Sequence, residues 1–454
     1  MRLISYNCRK LRSPRTVLAS LNIVSKSPSA PGRPAARTAI VAAIIFIVAH
    51  VVLLLGITAP DKLYFDEVHY VPAARQILLP VREGPILNPM HPPLAKEIIA
   101  LSIKAFGDGP LGWRYPAALF GALALVGVYL GGLALFASQQ RAIAAVLLAF
   151  FNQMLFVQSR IAMLDIFALA FGLFAIAAFV HGFGQKRPQS AFALAGLFAG
   201  LATACKWSGL FVLATCIAIV AAIRLMQGWR TRFADANAED WYRPELWPDF
   251  RVPHFIVCFV LIPAAAYLAT FVPLYGLSFT DIIEAQRRIL ADNTTAAIAG
   301  HTYMSSWPSW PFLVRPIWYL FEKVGDDRFA AIVFLGNPLV LWPALIALII
   351  ALRDWIVGRG RDAFLVLAFY LGPYLAWALL PRTLGFIYYY LPAATTASFV
   401  LVYALTRKGA PRWLLWAFVA VGCAGFVAML PVTAAVIETS MATFNRLMLF
   451  QGWI

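Results

Sequence analysis

The sequence predicts an all-α integral membrane protein with about eleven transmembrane helices and two outer loops that carry interfacial helices. Three observations lead there. Of 454 residues, 61% are hydrophobic and 13% charged, half the charged share of an ordinary soluble domain, and mean hydropathy is +0.76. Apolar runs of about 20 residues, the length a helix needs to cross a bilayer, recur along the chain. The short connections between them gather Lys and Arg on one side. A water-soluble enzyme, a disordered chain, a collagen-like chain and a disulfide scaffold are excluded.

Residues 1–39 are basic, acid-free and Ser/Pro-rich. They read as a disordered cytoplasmic tail or an upstream start, with an amphipathic transit peptide as the alternative. The expected spans follow at 38–57, 114–136, 141–157, 163–183, 191–206, 208–224, 254–275, 329–351, 363–380, 385–405 and 413–436. The chain thus divides into a catalytic membrane region at 40–275 with a first outer loop at 58–113, a second outer loop at 276–328, and a C-terminal four-helix membrane region with an outer tail at 329–454. With the N-terminus inside, Lys186, Arg187, Arg353 to Arg361, Arg407 and Lys408 fall in the cytoplasm and the C-terminus outside. The net charge of +16 is accounted for by topology and anionic lipid rather than by nucleic acid. The five cysteines form no disulfide framework.

The first outer loop opens with Tyr64-Phe65-Asp66-Glu67-Val68-His69-Tyr70. Two adjacent carboxylates at a membrane surface need either a cation each or a catalytic task. Asn88-Pro89-Met90-His91-Pro92-Pro93-Leu94-Ala95-Lys96 follows, and the two prolines suit the first turn of a helix. That helix places Leu94, Ile98, Leu101 and Ala105 on one stripe and is too short to span, so it is expected at the interface. Lys96 is either a charge beside an anion or a snorkelling anchor. Arg114, in Trp113-Arg114-Tyr115-Pro116, is a phosphate ligand or an interface anchor. Asp165 is expected in a structural ion pair, with Arg160 or Arg114 as partner.

These strings, together with Ala204-Cys205-Lys206-Trp207-Ser208-Gly209-Leu210, resemble the protein O-mannosyltransferase family, integral-membrane enzymes of the C-type glycosyltransferase fold. In the C-terminal half the likeness continues in His301-Thr302-Tyr303-Met304-Ser305-Ser306-Trp307, in Gly336-Asn337-Pro338 and in Pro381-Arg382-Thr383. It extends to Ile387-Tyr388-Tyr389-Tyr390, where Tyr389 stands in the place of a histidine common in the family. The β-trefoil domain of eukaryotic members has no room in a loop of about 50 residues, so the chain resembles a compact bacterial member.

The resemblance implies transfer of mannose, with inversion, from a polyprenyl phosphate to Ser or Thr hydroxyls of translocated proteins at the outer face of a bacterial inner membrane. Asp66 would be the base. Glu67 would orient the acceptor or brace a cation, and Arg114, Arg382 and Lys96 would hold the departing phosphate. His91, Asp165, Arg160, His301 and Asn337 would support them. No cofactor is required; a divalent ion between Asp66 and the phosphate is compatible with the residues without being implied. The partners expected are the lipid-linked sugar, a secreted or membrane acceptor protein and the bilayer. The alternatives are a C-type glycosyltransferase acting on a lipid or envelope polysaccharide, and a transporter or flippase.

Overall fold

The structure, a computed structural model, describes residues 33–80, 84–233, 246–295, 302–358, 360–380 and 385–454. It divides into a short N-terminal unit, described only as helical residues 33–43, and a compact unit over residues 44–454.

After α1 (Arg33–Leu54), the first outer segment carries α2 (Glu67–Ile77) and α3 (Leu94–Phe106). The bundle continues with α4 (Pro110–Phe136), α5 (Gln139–Phe150), the short α6 (Gln153–Gln158), α7 (Asp165–Phe183), α8 (Gln189–Cys205) and α9 (Leu210–Phe233). Next come α10 (Val252–Ile256) and α11 (Ile262–Ala269), joined by a π-helical turn, and α12 (Val272–Tyr275). The second outer segment holds α13 (Phe279–Thr295) and an antiparallel hairpin of β1 (Ile317–Gly325) and β2 (Arg328–Phe334). Finally come α14 (Pro338–Gly358), α15 (Arg361–Leu375), α16 (Leu391–Leu405), α17 (Arg412–Met429) and α18 (Met441–Leu447).

Small residues bring the central helices together. A Cβ on Gly127 of α4 would lie 2.8 Å from the Leu173 Cβ of α7, so only glycine permits this crossing, as at other helix contacts in membranes.

Among the described residues eight helices are long and apolar enough to cross a membrane. Each of the eleven expected spans meets a helix. However, α5, α8 and α16 have 12, 17 and 15 residues, short of the ~20 of a full span. The run expected at 141–157 is two helices, because Asn152 turns out of α5, caps α6 by accepting from the Met154 amide at 3.4 Å, and donates to the Ala394 carbonyl. The span expected at 329–351 begins instead at Pro338. Residues 328–334 are strand, paired from Ile317↔Phe334 to Gly325↔Arg328. A short apolar run cannot by periodicity be told from a buried strand. Helix α1 also starts at Arg33, inside the stretch expected as tail.

Helix α3 forms where the two prolines place it, burying Ala95, Lys96, Ile99 and Ser102 while the stripe through Leu101 faces outward, as expected of an interfacial helix. Leu101 and Phe106 are 65% and 49% exposed. An apolar face turned outward is the arrangement a lipid surface allows and water does not.

Candidate active site

The loop ahead of α2 is fixed by a buried ion pair. The Arg114 guanidinium on α4 donates from Nε and Nη2 to the two Glu67 carboxylate oxygens at 2.8 and 2.9 Å. Its other N–H groups reach the carbonyls of Ile57, Pro60 and Lys62. Glu67 also accepts the amides of Ala162 at 3.0 Å and Tyr64 at 3.3 Å. Both side chains have no exposed surface. All five guanidinium donors are consumed, so Arg114 has none left for a phosphate, and Glu67 braces this cation rather than meeting an acceptor. The Tyr64 ring lies under the guanidinium at 4.8 Å, and burial first, then Glu67, pushes its hydroxyl pKa upward.

Asp66 takes no part in that ion pair. It occupies the N-cap position of α2, yet its side chain makes no capping bond, and it stays half-buried. Phe65, just before it, has φ +49, a left-handed conformation that costs a bulky residue about 1–3 kcal/mol. Its ring is stacked on Tyr319 of β1 at 4.0 Å, which holds the bend. Asp66 and Asp165 both raise the pKa of the buried Tyr319 hydroxyl, after the larger effect of burial. Both carboxylates also act on Tyr388. The first outer loop, the start of α7, the hairpin and the segment before α16 therefore converge on one spot.

A cation at that spot among the described residues is Lys206, part of the Ala204-Cys205-Lys206-Trp207 string and without a role assigned from the sequence. It donates to both Asp165 oxygens at 2.9 Å. It also lies over the Tyr388 and Tyr389 rings at 4.9 and 5.2 Å. Asp165 thus pairs with Lys206 and not with Arg160 or Arg114. The local chain makes this possible: α8 ends at Cys205, Lys206 is extended, and a short 3-10 turn leads into α9. Gly209 is needed there, since a Cβ would meet the Ala202 backbone at 2.3 Å. A lysine between two apolar runs was the available signal, but with no partner visible in the sequence it could not be separated from a snorkelling one.

Lys206 opens onto a cavity of about 270 Å³ whose wall includes His91, Trp207, Phe211, Trp377 and Tyr389. Lys206, paired with Asp165, is a cation in its lining, and Trp207, Phe211, Trp377 and Tyr389 supply aromatic rings. A narrow cleft with Asp165, Ser208, Tyr388 and Pro392 adjoins it through Tyr389. Trp310 is buried and packs on Trp377 and Tyr389.

Lys96 is 2% exposed. Its Nζ donates to the carbonyls of Asn88 at 2.7 Å and His91 at 2.9 Å. Burial, opposed by Glu97, pushes its pKa down to about 7. Lys96 therefore shapes the loop that carries His91 and neither snorkels nor reaches the cavity wall. Asn293 of α13 donates to the Met90 carbonyl at 3.0 Å, which ties the second outer segment to this loop. Arg160 donates to the Leu53 carbonyl at 2.7 Å and lies over Phe156. Asn337 donates to the carbonyls of Phe151 and Gly422 and accepts the Leu339 amide. Both are structural ties. His301 and Arg382 lie outside the described residues.

A multi-pass helical bundle with an acidic outer loop beside a cation-capped aromatic cavity defines a class: the fold is that of the C-type membrane glycosyltransferases. It superposes on the Saccharomyces cerevisiae protein O-mannosyltransferase Pmt1-Pmt2 complex bound to the sugar donor, with TM-score 0.74 and 14% identity over 92% of this chain and 93% of that one. Against ArnT from Cupriavidus metallidurans bound to undecaprenyl phosphate the TM-score is 0.54 at 16% identity, over 89% of this chain and 66% of that one. Two family profiles match: dolichyl-phosphate-mannose-protein mannosyltransferase over residues 104–275, and the C-terminal four-helix region of protein O-mannosyltransferase over residues 278–453. The chain belongs to the protein O-mannosyltransferase family. The polyprenol-phosphate-mannose–protein mannosyltransferase of Corynebacterium glutamicum is 27% identical, over 73% of this chain and 75% of that protein.

Proposed function

We propose that the chain transfers mannose from a polyprenyl phosphate to Ser or Thr hydroxyls of proteins crossing the membrane, at the outer face of a bacterial inner membrane. Its N-terminus is cytoplasmic and its C-terminus outside. The observation that supports this reading is the half-buried Asp66 at a helix N-terminus, which acts electrostatically on Tyr388 together with Asp165, the partner of Lys206, beside a cavity lined by Lys206 and aromatic rings. That lining suits a lipid phosphate, with Lys206 for the phosphate and the aromatic and leucine side chains for the apolar chain.

Asp66 acts as the base that takes the acceptor hydroxyl's proton, so the oxygen attacks the anomeric carbon as the phosphate leaves from the opposite side, inverting the centre. The phosphate moves from about −1 toward −2 charge and needs fixed cations rather than a general acid. Lys206, oriented by Asp165, is one, and Arg382 is a second. His91 and His301 support the loops around them. No cofactor is needed for this chemistry, since cations of the chain take the developing charge. One carboxylate base without a partner acid also sets the site apart from a glycosidase.

The test is transfer of labelled mannose from polyprenyl phosphate mannose to a Ser/Thr peptide by the purified chain. Asp66→Asn is expected to lower turnover at least ~10²–10⁴-fold, the usual worth of a positioned base, with the protein still monodisperse. Near-normal turnover in that variant would remove Asp66 as the base.

A further inference from the structure

The end of the bundle remote from Asp66 holds another cavity, of about 330 Å³. Arg141 from the first turn of α5, Asp354 near the end of α14 and Asp362 from the first turn of α15 line it. Tyr403, Arg407 and Lys408, from the end of α16 and the turn after it, complete the wall. Both carboxylates are neutralised. Asp354 takes Arg407 at 2.9 and 3.0 Å and the Tyr403 hydroxyl at 3.1 Å. Asp362 takes Arg361 at 2.8 and 2.9 Å. Arg141 makes only a 3.5 Å side-chain bond, to the Thr406 carbonyl, and neither it nor Lys408 has a carboxylate partner among the described residues. Two positive charges are therefore in excess in a polar cavity.

Its depth is set by the helices that link it to the active site. From Arg114 to Phe136, which also lines the cavity, α4 rises ~33 Å, close to the ~30 Å hydrocarbon thickness of a bilayer. The cavity therefore lies at headgroup level of the opposite leaflet. The end of α14 beside it is bare and apolar: Ile349, Ile356 and Val357 are 68%, 64% and 77% exposed. Trp355 and Trp413 are exposed on the helix ends nearby, as at membrane interfaces.

We propose that this cavity binds the phosphate of an anionic phospholipid of that leaflet, with Arg141 and Lys408 holding the headgroup and the exposed strip of α14 lying along its acyl chains. A free phosphate shares the headgroup chemistry but would make no use of the strip. The assignment does not depend on the mannosyl-transfer reading.

Native mass spectrometry of the full chain, released from nanodiscs of phosphatidylcholine with phosphatidylglycerol, tests it. The wild type is expected to retain phosphatidylglycerol over phosphatidylcholine. Arg141→Gln with Lys408→Gln is expected to weaken that retention roughly thirtyfold, two near-surface charges' worth. Lys186→Gln, at an exposed cation away from the cavity, should leave it unchanged. If the double variant does not fold, Arg141→Lys with Lys408→Arg gives the complementary reading, since retention should survive when the charges do. Equal retention by the double Gln variant, or loss in the charge-preserving one, overturns the site. Displacement of the lipid by millimolar glycerol phosphate as effectively as by added phosphatidylglycerol would make it a free-phosphate site and overturn the lipid assignment.

Discussion

Asp66 and Glu67 are neighbours with opposite duties, and burial separates them. Glu67 is wholly enclosed with Arg114, and removing one partner of such a pair leaves an uncompensated buried charge. Glu67→Gln is expected to destabilise the protein by about 3–5 kcal/mol, read as a lowered unfolding midpoint in detergent, whereas Asp66→Asn should leave that midpoint in place. Replacing Glu67 by Gln and Arg114 by Met together should recover part of the loss. An unchanged midpoint in Glu67→Gln would mean that the pair is not a keystone. Asp66 stood out in the sequence as a candidate because position and neighbouring motifs marked it. The division of labour was not, because it depends on Ala162 and the carbonyls of Ile57, Pro60 and Lys62 closing around one side chain and not the other. Lys206 was hidden for a related reason. Its partners Asp165, Tyr388 and Tyr389 come from distant stretches, and only folding joins them.

Helix α3 shows what an element adds. Its first turn buries Lys96 against two loop carbonyls and sets Glu97 beside it. Burial, opposed by Lys96, pushes the Glu97 pKa from 4.5 up to about 7. Between those values the folded state keeps a proton that the unfolded state releases, so this residue's contribution to stability is present at low pH and lost as pH rises through about 7. Glu97→Gln mimics the protonated form. It is expected to match the wild type below pH 4.5 and to be more stable above about 7, measured as the difference between the two thermal unfolding midpoints across that range. A constant difference would place Glu97 in solvent-like surroundings. Apolar length and the two prolines made α3 readable in advance. The stripe through Leu101 faces outward, as an interfacial helix requires; the opposite face, which buries Lys96 and Ser102, was not legible because its partners come from other segments. The hairpin β1–β2 was missed because its pairing depends on contacts between segments and not on either apolar run alone.

At the scale of the whole molecule, the two cavities lie at opposite ends of the same helices, and this fixes which connections share a side. α7 starts at Asp165 in the active site and ends at Phe183, while α8 returns from Gln189 to Cys205, next to Lys206. The connection holding Lys186 and Arg187 therefore lies at the far end. α15 runs from Arg361 toward Trp377 on the cavity wall, and α16 runs away from Tyr390 to Leu405, so the cations around 353–361 and 407–408 join it there. Positive charge in short connections is retained on the cytoplasmic side, so the proposed orientation puts Asp66 and the hairpin outside. Sidedness is measurable with a membrane-impermeant maleimide on intact cells. Cys205, Cys216 and Cys258 are buried, so in a chain with Cys8 and Cys423 changed to Ser, a single introduced cysteine dominates the labelling. Lys323→Cys, exposed on β1, is expected to label in intact cells, and Lys186→Cys, also exposed, only after permeabilisation. The reverse pattern would put Asp66 in the cytoplasm, where a protein emerging from the membrane could not reach it, and would overturn the proposed function.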